Sequence, residues 1–208
     1  MSDSPYVSRA GRKLEHGLEA FGLDVTGLRC ADFGCNVGGF TDCLLQRGAA
    51  HVIAVDTGYG TLAWPLRNDE RVTVRERTNA LHASPPEPLV DLVTIDLAWT
   101  RQQHALPAAP RWVHERGRLV TLVKPHYELE PDERRAWLRR GTLEPARARE
   151  VLYRVVAAFH RHGVEPIAVT PSPLTGRKTR RAAGPGVVGP GNVEYLVLAR
   201  PRPSGTAA

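Results

Sequence analysis

The chain has 208 residues, enough for one domain with a sizeable core. Hydrophobic residues make up 42%, no apolar run approaches the roughly 18 residues of a membrane span, and MSDSPYVSRAGRK holds no apolar signal region, so a cytoplasmic protein with no membrane contact is expected. A formal net charge of +6, from 28 Lys and Arg against 22 Asp and Glu, favours an anionic partner such as nucleic acid. Taken in chain order, Ser8 can cap a helix with Leu14, Gly17, Leu18 and Phe21 on one face. LRCADFG reads as a buried strand, GGFTDCLLQRG as a helix stopped by Gly48, and HVIAVD and RVTVRER as the next strands. LVDLVTID is a further buried strand. A helical stretch follows from Thr100 towards Gly117, interrupted by Pro107 and Pro110. RLVTLVK is a strand. PDERRAWLRR and EPARAREVLYRVVAAFHRHG are helices with proline near their starts. VEPIAVTP and NVEYLVLARP are the last two strands.

Strand–helix alternation predicts an α/β fold, a mostly parallel seven-stranded sheet with helices on both faces. The last strand follows no helix and is expected to insert antiparallel. One domain over 1–200 and a disordered tail over 201–208 are expected. The stretch TPSPLTGRKTRRAAGPGVVGPGN, between the last two strands, is too long for a passive connection and reads as a binding loop or a disordered one. The three cysteines, Cys30, Cys35 and Cys43, lack metal-ligand spacing and predict free thiols with no metal site.

In an open parallel sheet, ligands bind beyond the carboxyl ends of the strands, where strand order reverses. Gly34 ends the first strand, and Gly38 and Gly39 open the helix after it. A second strand ends in Asp56, about 20 residues on, where an acid can accept hydrogen bonds from both hydroxyls of an adenosine ribose. The glycine spacing is not G-x-G-x-x-G, and Asp32 would repel a pyrophosphate. An acid there suits a ligand carrying an ammonium and a sulfonium, which points to S-adenosyl-L-methionine. Asp32, Gly34 and Gly38 are then expected on its methionine side, Gly39 also at the cofactor, with Thr78 and Asn79 near the adenine. Trp64 is expected in the core. Asp96 ends VTID and Lys124 ends TLVK on the same rim, while Glu194 interrupts an apolar strand.

The stretches YVSRAGRKLEHGLEAFGLDV, GGFTDCLLQRGAAHVIAVDTGYGTLAWPLRND, RVTVRERTNA, VDLVTID, LVKPHYE and GPGNVEYL resemble the FtsJ/RrmJ-type RNA ribose 2′-O-methyltransferases, above all the methyltransferase domain of the TlyA (hemolysin A) family. The resemblance implies a Rossmann-like class I S-adenosylmethionine-dependent methyltransferase acting on RNA, with ribosomal RNA or a ribosomal subunit as partner. It also implies a Lys-Asp-Lys-Glu tetrad, which falls on Lys13, Asp96, Lys124 and Glu194. A catalytically idle RNA- or cofactor-binding module of the same fold is the alternative, weighed against by the intact tetrad. Lys124 would be the base, its pKa lowered by burial and by Lys13, while Asp96 and Glu194 would orient the lysine heads and oppose that lowering. The sequence departs from the family in GCNVGGF for GASTGGF and in DLAWTRQ for D-x-S-F-I-S. The chain begins almost at YVSR, so the family's small N-terminal RNA-binding domain is expected to be missing. RNA is then expected to be held by Arg177, Lys178, Arg180 and Arg181 of the long loop, with Arg9 and Arg12 beside Lys13.

Overall fold

The computed structural model describes residues 4–176 and 191–202. Its strands are β1 (Arg29–Phe33), β2 (His51–Val55), β3 (Val72–Arg75), β4 (Val90–Ile95), β5 (Val113–Val123), β6 (Leu138–Arg139), β7 (Thr142–Leu143), β8 (Val164–Pro171) and β9 (Tyr195–Pro201). Its α-helices are α1 (Ala10–Phe21), α2 (Gly39–Gln46), α3 (Trp64–Arg67), α4 (Gln102–Ala105), α5 (Pro131–Trp137) and α6 (Pro145–Ala157). Seven strands form one sheet in the order β3-β2-β1-β4-β5-β9-β8. β1 pairs in parallel with β2 on one side and β4 on the other, so strand order reverses between β1 and β4. β9 slots antiparallel between β5 and β8, as its lack of a preceding helix predicted.

Side chains alternate between two apolar layers because successive strand residues point to opposite faces. Ala31, Phe33, Ile53, Val55 and Val93 join one layer with Trp112, Leu152 and Phe159. Cys30, Val52, Ala54, Leu92 and Val120 join the other, with Leu14 and Leu18 of α1 and Phe40 and Leu44 of α2. Phe33 meets Trp112 edge to face at 4.8 Å between ring centroids. All three cysteines are free and buried. No helix among the described residues is long and apolar enough to cross a membrane.

Four expectations need correction. The stretch after Thr100 carries only α4 and a 3-10 turn at Ala109–Arg111, and β5 already begins at Val113. The prolines that interrupt it leave room for just one turn of α-helix. The helix expected through Arg140 stops at Trp137, and β6 and β7 form a hairpin. Its turn places Arg140 at φ +51° and Gly141 at φ +77°, the left-handed pair that tight hairpins require. Trp64 lies on the surface, 74% exposed. The residue flanking α1 is Arg9 rather than Ser8, although the Ser8 hydroxyl accepts the Ala10 N–H at 3.3 Å.

The paired glycines serve the fold. A side chain on Gly38, at φ +103°, would overlap Leu62 and Leu66. A Cβ on Gly39 would overlap the Ser8 hydroxyl and come within 2.8 Å of Ala10. These contacts let α2 start directly beneath the segment leading into α1, where the Val7 N–H donates to Asp42 at 2.7 Å. Gly39→Ala is expected to destabilise the protein by about 1–3 kcal/mol through overpacking. A denaturant midpoint equal to that of the wild type would show that the N-terminal segment yields at no cost.

Candidate active site

Beyond the carboxyl ends of β1, β2 and β4 lies a cavity of about 440 Å³ lined by Gly34, Asp56, Thr78, Asn79, Asp96 and Trp99, among others. That volume falls in the range of small-molecule and cofactor sites. Gly34 sits at φ +85°, and a Cβ there would lie 2.8 Å from the Asp96 carbonyl oxygen, so glycine alone lets the β1 and β4 ends meet. Asp56 accepts the Asn36 N–H at 2.9 Å through one carboxylate oxygen and the Gly58 N–H at 2.7 Å through the other. Each oxygen keeps a free lone pair for a hydroxyl, so two vicinal hydroxyls can be held together. The Thr78 N–H donates to the Asp56 carbonyl, and the Asn79 side chain accepts the Leu81 N–H. Both residues are thereby fixed on the cavity wall.

Asp32 does not line this cavity. It is fully buried, and its carboxylate accepts Thr41 N–H at 3.0 Å, Thr41 hydroxyl at 2.8 Å and Thr94 hydroxyl at 3.1 Å. Burial pushes its pKa up to about 7 despite those bonds. Asp32 therefore ties β1, α2 and β4 together behind the cavity. Gly38 and Gly39 are likewise packed against side chains, so of the three residues expected on the methionine side Gly34 alone lines this cavity.

A second cavity, also about 440 Å³, opens beside the first, and Asp96 lines both. Lys13, Lys124 and Glu194 complete the expected set in its wall. Lys13 of α1 pairs with Glu194, which is only 3% exposed just before β9. Lys124, at the end of β5, pairs with Asp96 at 2.5 Å and donates to the Leu97 carbonyl at 3.2 Å. Burial would lower the Lys124 pKa, but Asp96 and Glu194 outweigh it and the net direction is upward. Arg9 also lines this cavity and donates to the Thr175 carbonyl at 3.2 Å. Arg12 is exposed and lies off the wall. Arg177, Lys178, Arg180 and Arg181 lie outside the described residues.

The second cavity holds groups that sequence reasoning missed. His126 and Tyr127 follow Lys124 in a single 3-10 turn, with ring centroids 4.1 Å apart. Burial, then the charge of Lys124, holds the His126 pKa down to about 4, so its ring is neutral at physiological pH. Trp99, 73% exposed and at φ +60°, leans over Tyr127 with centroids 4.9 Å apart. Trp99 lines the first cavity and Tyr127 the second, so the pair forms an aromatic ledge between them. The DLAW departure from the family stretch was its one sequence signal. Asn192, two residues before Glu194, donates to the Gly141 carbonyl at 2.9 Å and accepts the Leu143 N–H at 2.7 Å.

A seven-stranded sheet with β9 antiparallel, and a cavity at its switch point ending in a ribose-type acid, defines a class I methyltransferase. The FtsJ-like methyltransferase family matches the chain over residues 6–182. The chain belongs to that family, and its methyl donor is S-adenosyl-L-methionine. The 16S/23S rRNA (cytidine-2′-O)-methyltransferase TlyA of Mycobacterium tuberculosis is 40% identical over 96% of this chain and 70% of its own. Hemolysin A of Brachyspira hyodysenteriae is 33% identical over 92% of this chain and 75% of its own. A solved Streptococcus thermophilus chain described as a hemolysin superposes with a TM-score of 0.84 at 33% identity, covering 97% of this chain and 69% of the other.

Two outcomes test these assignments. Asp56→Ala is expected to weaken S-adenosyl-L-methionine binding by about 1.5–3 kcal/mol, the scale of hydrogen bonds to a charged group. Unchanged affinity by calorimetry, with the fold intact, would place the ribose elsewhere. For Asp32, the folded chain keeps a proton that the unfolded chain, at the ordinary 3.8, has released. Its stabilising contribution is therefore complete below about pH 4 and is lost as pH rises through 7, at roughly 1.4 kcal/mol per pKa unit. Asp32→Asn is expected to flatten the fall in melting temperature from about pH 4 to pH 7. Parallel curves for the two proteins would refute the buried, protonated Asp32.

Proposed function

We propose that this chain, as one domain over 1–200 working in the cytoplasm, transfers the methyl group of S-adenosyl-L-methionine to a ribose 2′-hydroxyl of ribosomal RNA. The observation that carries the reading is the meeting of two cavities at Asp96, one suited to the donor and one bearing two lysine–carboxylate pairs. The cytidine-2′-O activity named for the M. tuberculosis relative supports the choice of acceptor. In the donor cavity Asp56 would hold the adenosine ribose, with Thr78 and Asn79 beside the adenine.

S-Adenosyl-L-methionine supplies a strongly electrophilic methyl group on a sulfonium. The protein's task is to align the acceptor oxygen and remove its proton. Lys124 stands next to Asp96, where donor and acceptor cavities join. In the resting site Asp96 favours its ammonium form, which donates a hydrogen bond to the acceptor oxygen and holds it. With the donor bound, its cation would compete for Asp96 and favour the Lys124 amine, which would accept the hydroxyl proton as the methyl passes from sulfur to the acceptor oxygen and the neutral thioether leaves. Glu194 keeps Lys13 beside the acceptor, where its charge opposes a second ammonium on Lys124. His126 stays neutral and adds no charge. Trp99 and Tyr127 present a stacking face to the acceptor base once it leaves its helix.

Lys124→Met is expected to cut methyl transfer by at least about a hundredfold, the scale of general base catalysis, with donor affinity little changed. Transfer by the wild type is expected to rise with pH above neutrality as the raised Lys124 pKa is approached. Asp96→Asn removes the first raising charge, so its weaker activity should reach its plateau at lower pH. A profile shifted upward, or near wild-type rates for Lys124→Met, would remove Lys124 from the role of base.

A further inference from the structure

The acceptor cavity is flanked by a basic surface that the reaction itself leaves unused. On α5 and the β6–β7 hairpin, Arg135 pairs with Asp132, while Arg154, from α6, takes Glu133. Glu130 is held by Arg101, and Arg147 pairs with Glu150. Arg134, Arg139 and Arg140 are all exposed and pair with no carboxylate among the described residues. With no carboxylate partner, these three guanidiniums keep donors for anions, Arg139 using one on the Leu138 carbonyl.

Their position is fixed relative to the site. Leu143 of the hairpin is buried, and Asn192 grips the hairpin through Gly141 and Leu143 while lining the acceptor cavity. The left-handed turn at Arg140 and Gly141 holds the arginine at the tip. The charge of Arg134 is felt at both His126 and Tyr127, on the cavity wall. The far side of the hairpin adds a concave surface of about 520 Å³ that includes Trp137, Arg139, Thr142 and Arg147. There the Arg147 guanidinium lies 4.8 Å from the Trp137 ring centre, and the Thr142 hydroxyl is buried without a partner. Exposed arginines without carboxylate partners match the phosphates of a single-stranded nucleic acid.

We propose that α5 and the β6–β7 hairpin form a second RNA-contact surface, on which Arg134, Arg139 and Arg140 hold the phosphates of the strand flanking the acceptor nucleotide. The proposal rests on the RNA-methyltransferase reading. The Asn192 grip makes the surface more than a charge reservoir, because a strand seated on the hairpin is registered against the segment that carries Glu194.

The test compares the wild type with the triple variant Arg134→Ser, Arg139→Ser, Arg140→Ser. A control, Arg111→Ser, Arg116→Ser, Arg118→Ser, removes equal charge around the start of β5, away from the carboxyl ends of the strands. Binding to unmodified ribosomal RNA made in vitro is measured across a salt series, alongside KM and kcat for methyl transfer. The hairpin variant is expected to lose about tenfold or more in RNA affinity near 0.1 M salt, with the log–log salt slope falling by about 2, the sum of three single-strand phosphate contacts. KM for RNA should rise with it, while donor affinity and kcat at saturating RNA hold. The control should keep the wild-type slope. A hairpin variant with wild-type slope and KM overturns the proposal and leaves a protein partner as the use of the surface. An equal loss in both variants overturns it too, as a general charge effect. A wild type that binds this RNA but transfers no methyl, or does neither, removes the reading beneath it, and is told apart by the wild-type curves alone.

Discussion

The close approach of the Asp96 backbone to Gly34 is the constraint on which the site depends. At the switch point between β1 and β4 the two strand ends converge until no Cβ fits between them. That convergence puts the Asp96 carboxylate on the boundary between donor and acceptor cavities. Asp32 secures it from behind through Thr41 and Thr94, which explains an acid placed wholly inside the sheet. A buried carboxyl with all its bonds made is costly to ionise, but it locks three elements in one geometry.

Charge is the second organising feature. Two lysines and two carboxylates face one cavity, each lysine matched to an acid from a distant part of the chain. Pairing of this kind avoids the repulsion that two unpaired ammonium groups would suffer, at the cost of leaving Lys124 protonated at rest. His126 stays neutral because burial, and then the charge of Lys124, disfavours its cationic form. Outside the cavity the balance reverses, and the unpaired arginines of α5 and the hairpin give the rim a positive field where a polyanion would lie.

Much of this was legible in the chain. The alternation of apolar runs and amphipathic segments gave seven strands and the antiparallel insertion of β9, because sheet burial leaves a strong local pattern. That Asp56 would face the cavity could be read from its place after a strand. The tetrad was found by resemblance, since its members are too far apart for any local signal. Asp32, Gly38 and Gly39 pack behind the wall that Gly34 lines, a difference the sequence does not carry, because a glycine or acid beside a cavity and one packed behind it look alike. The Trp99–Tyr127 ledge joins two loops, and the helix expected through Arg140 gave way to a hairpin because an Arg–Gly turn outweighed a run of good helix formers.

The sequence by itself determined the elements, the strand-end acids and the residue types of the tetrad, because hydrophobic period and turn chemistry act over a few residues. The tertiary structure alone decided which acid pairs with which lysine, which glycines touch a cavity, and which arginines remain unpaired. Those outcomes depend on distances between segments far apart in the chain. Lys13 and Glu194 are joined by the docking of α1 against β9, with Gly17 of α1 packed on Leu196 of the strand, and no local pattern encodes that contact.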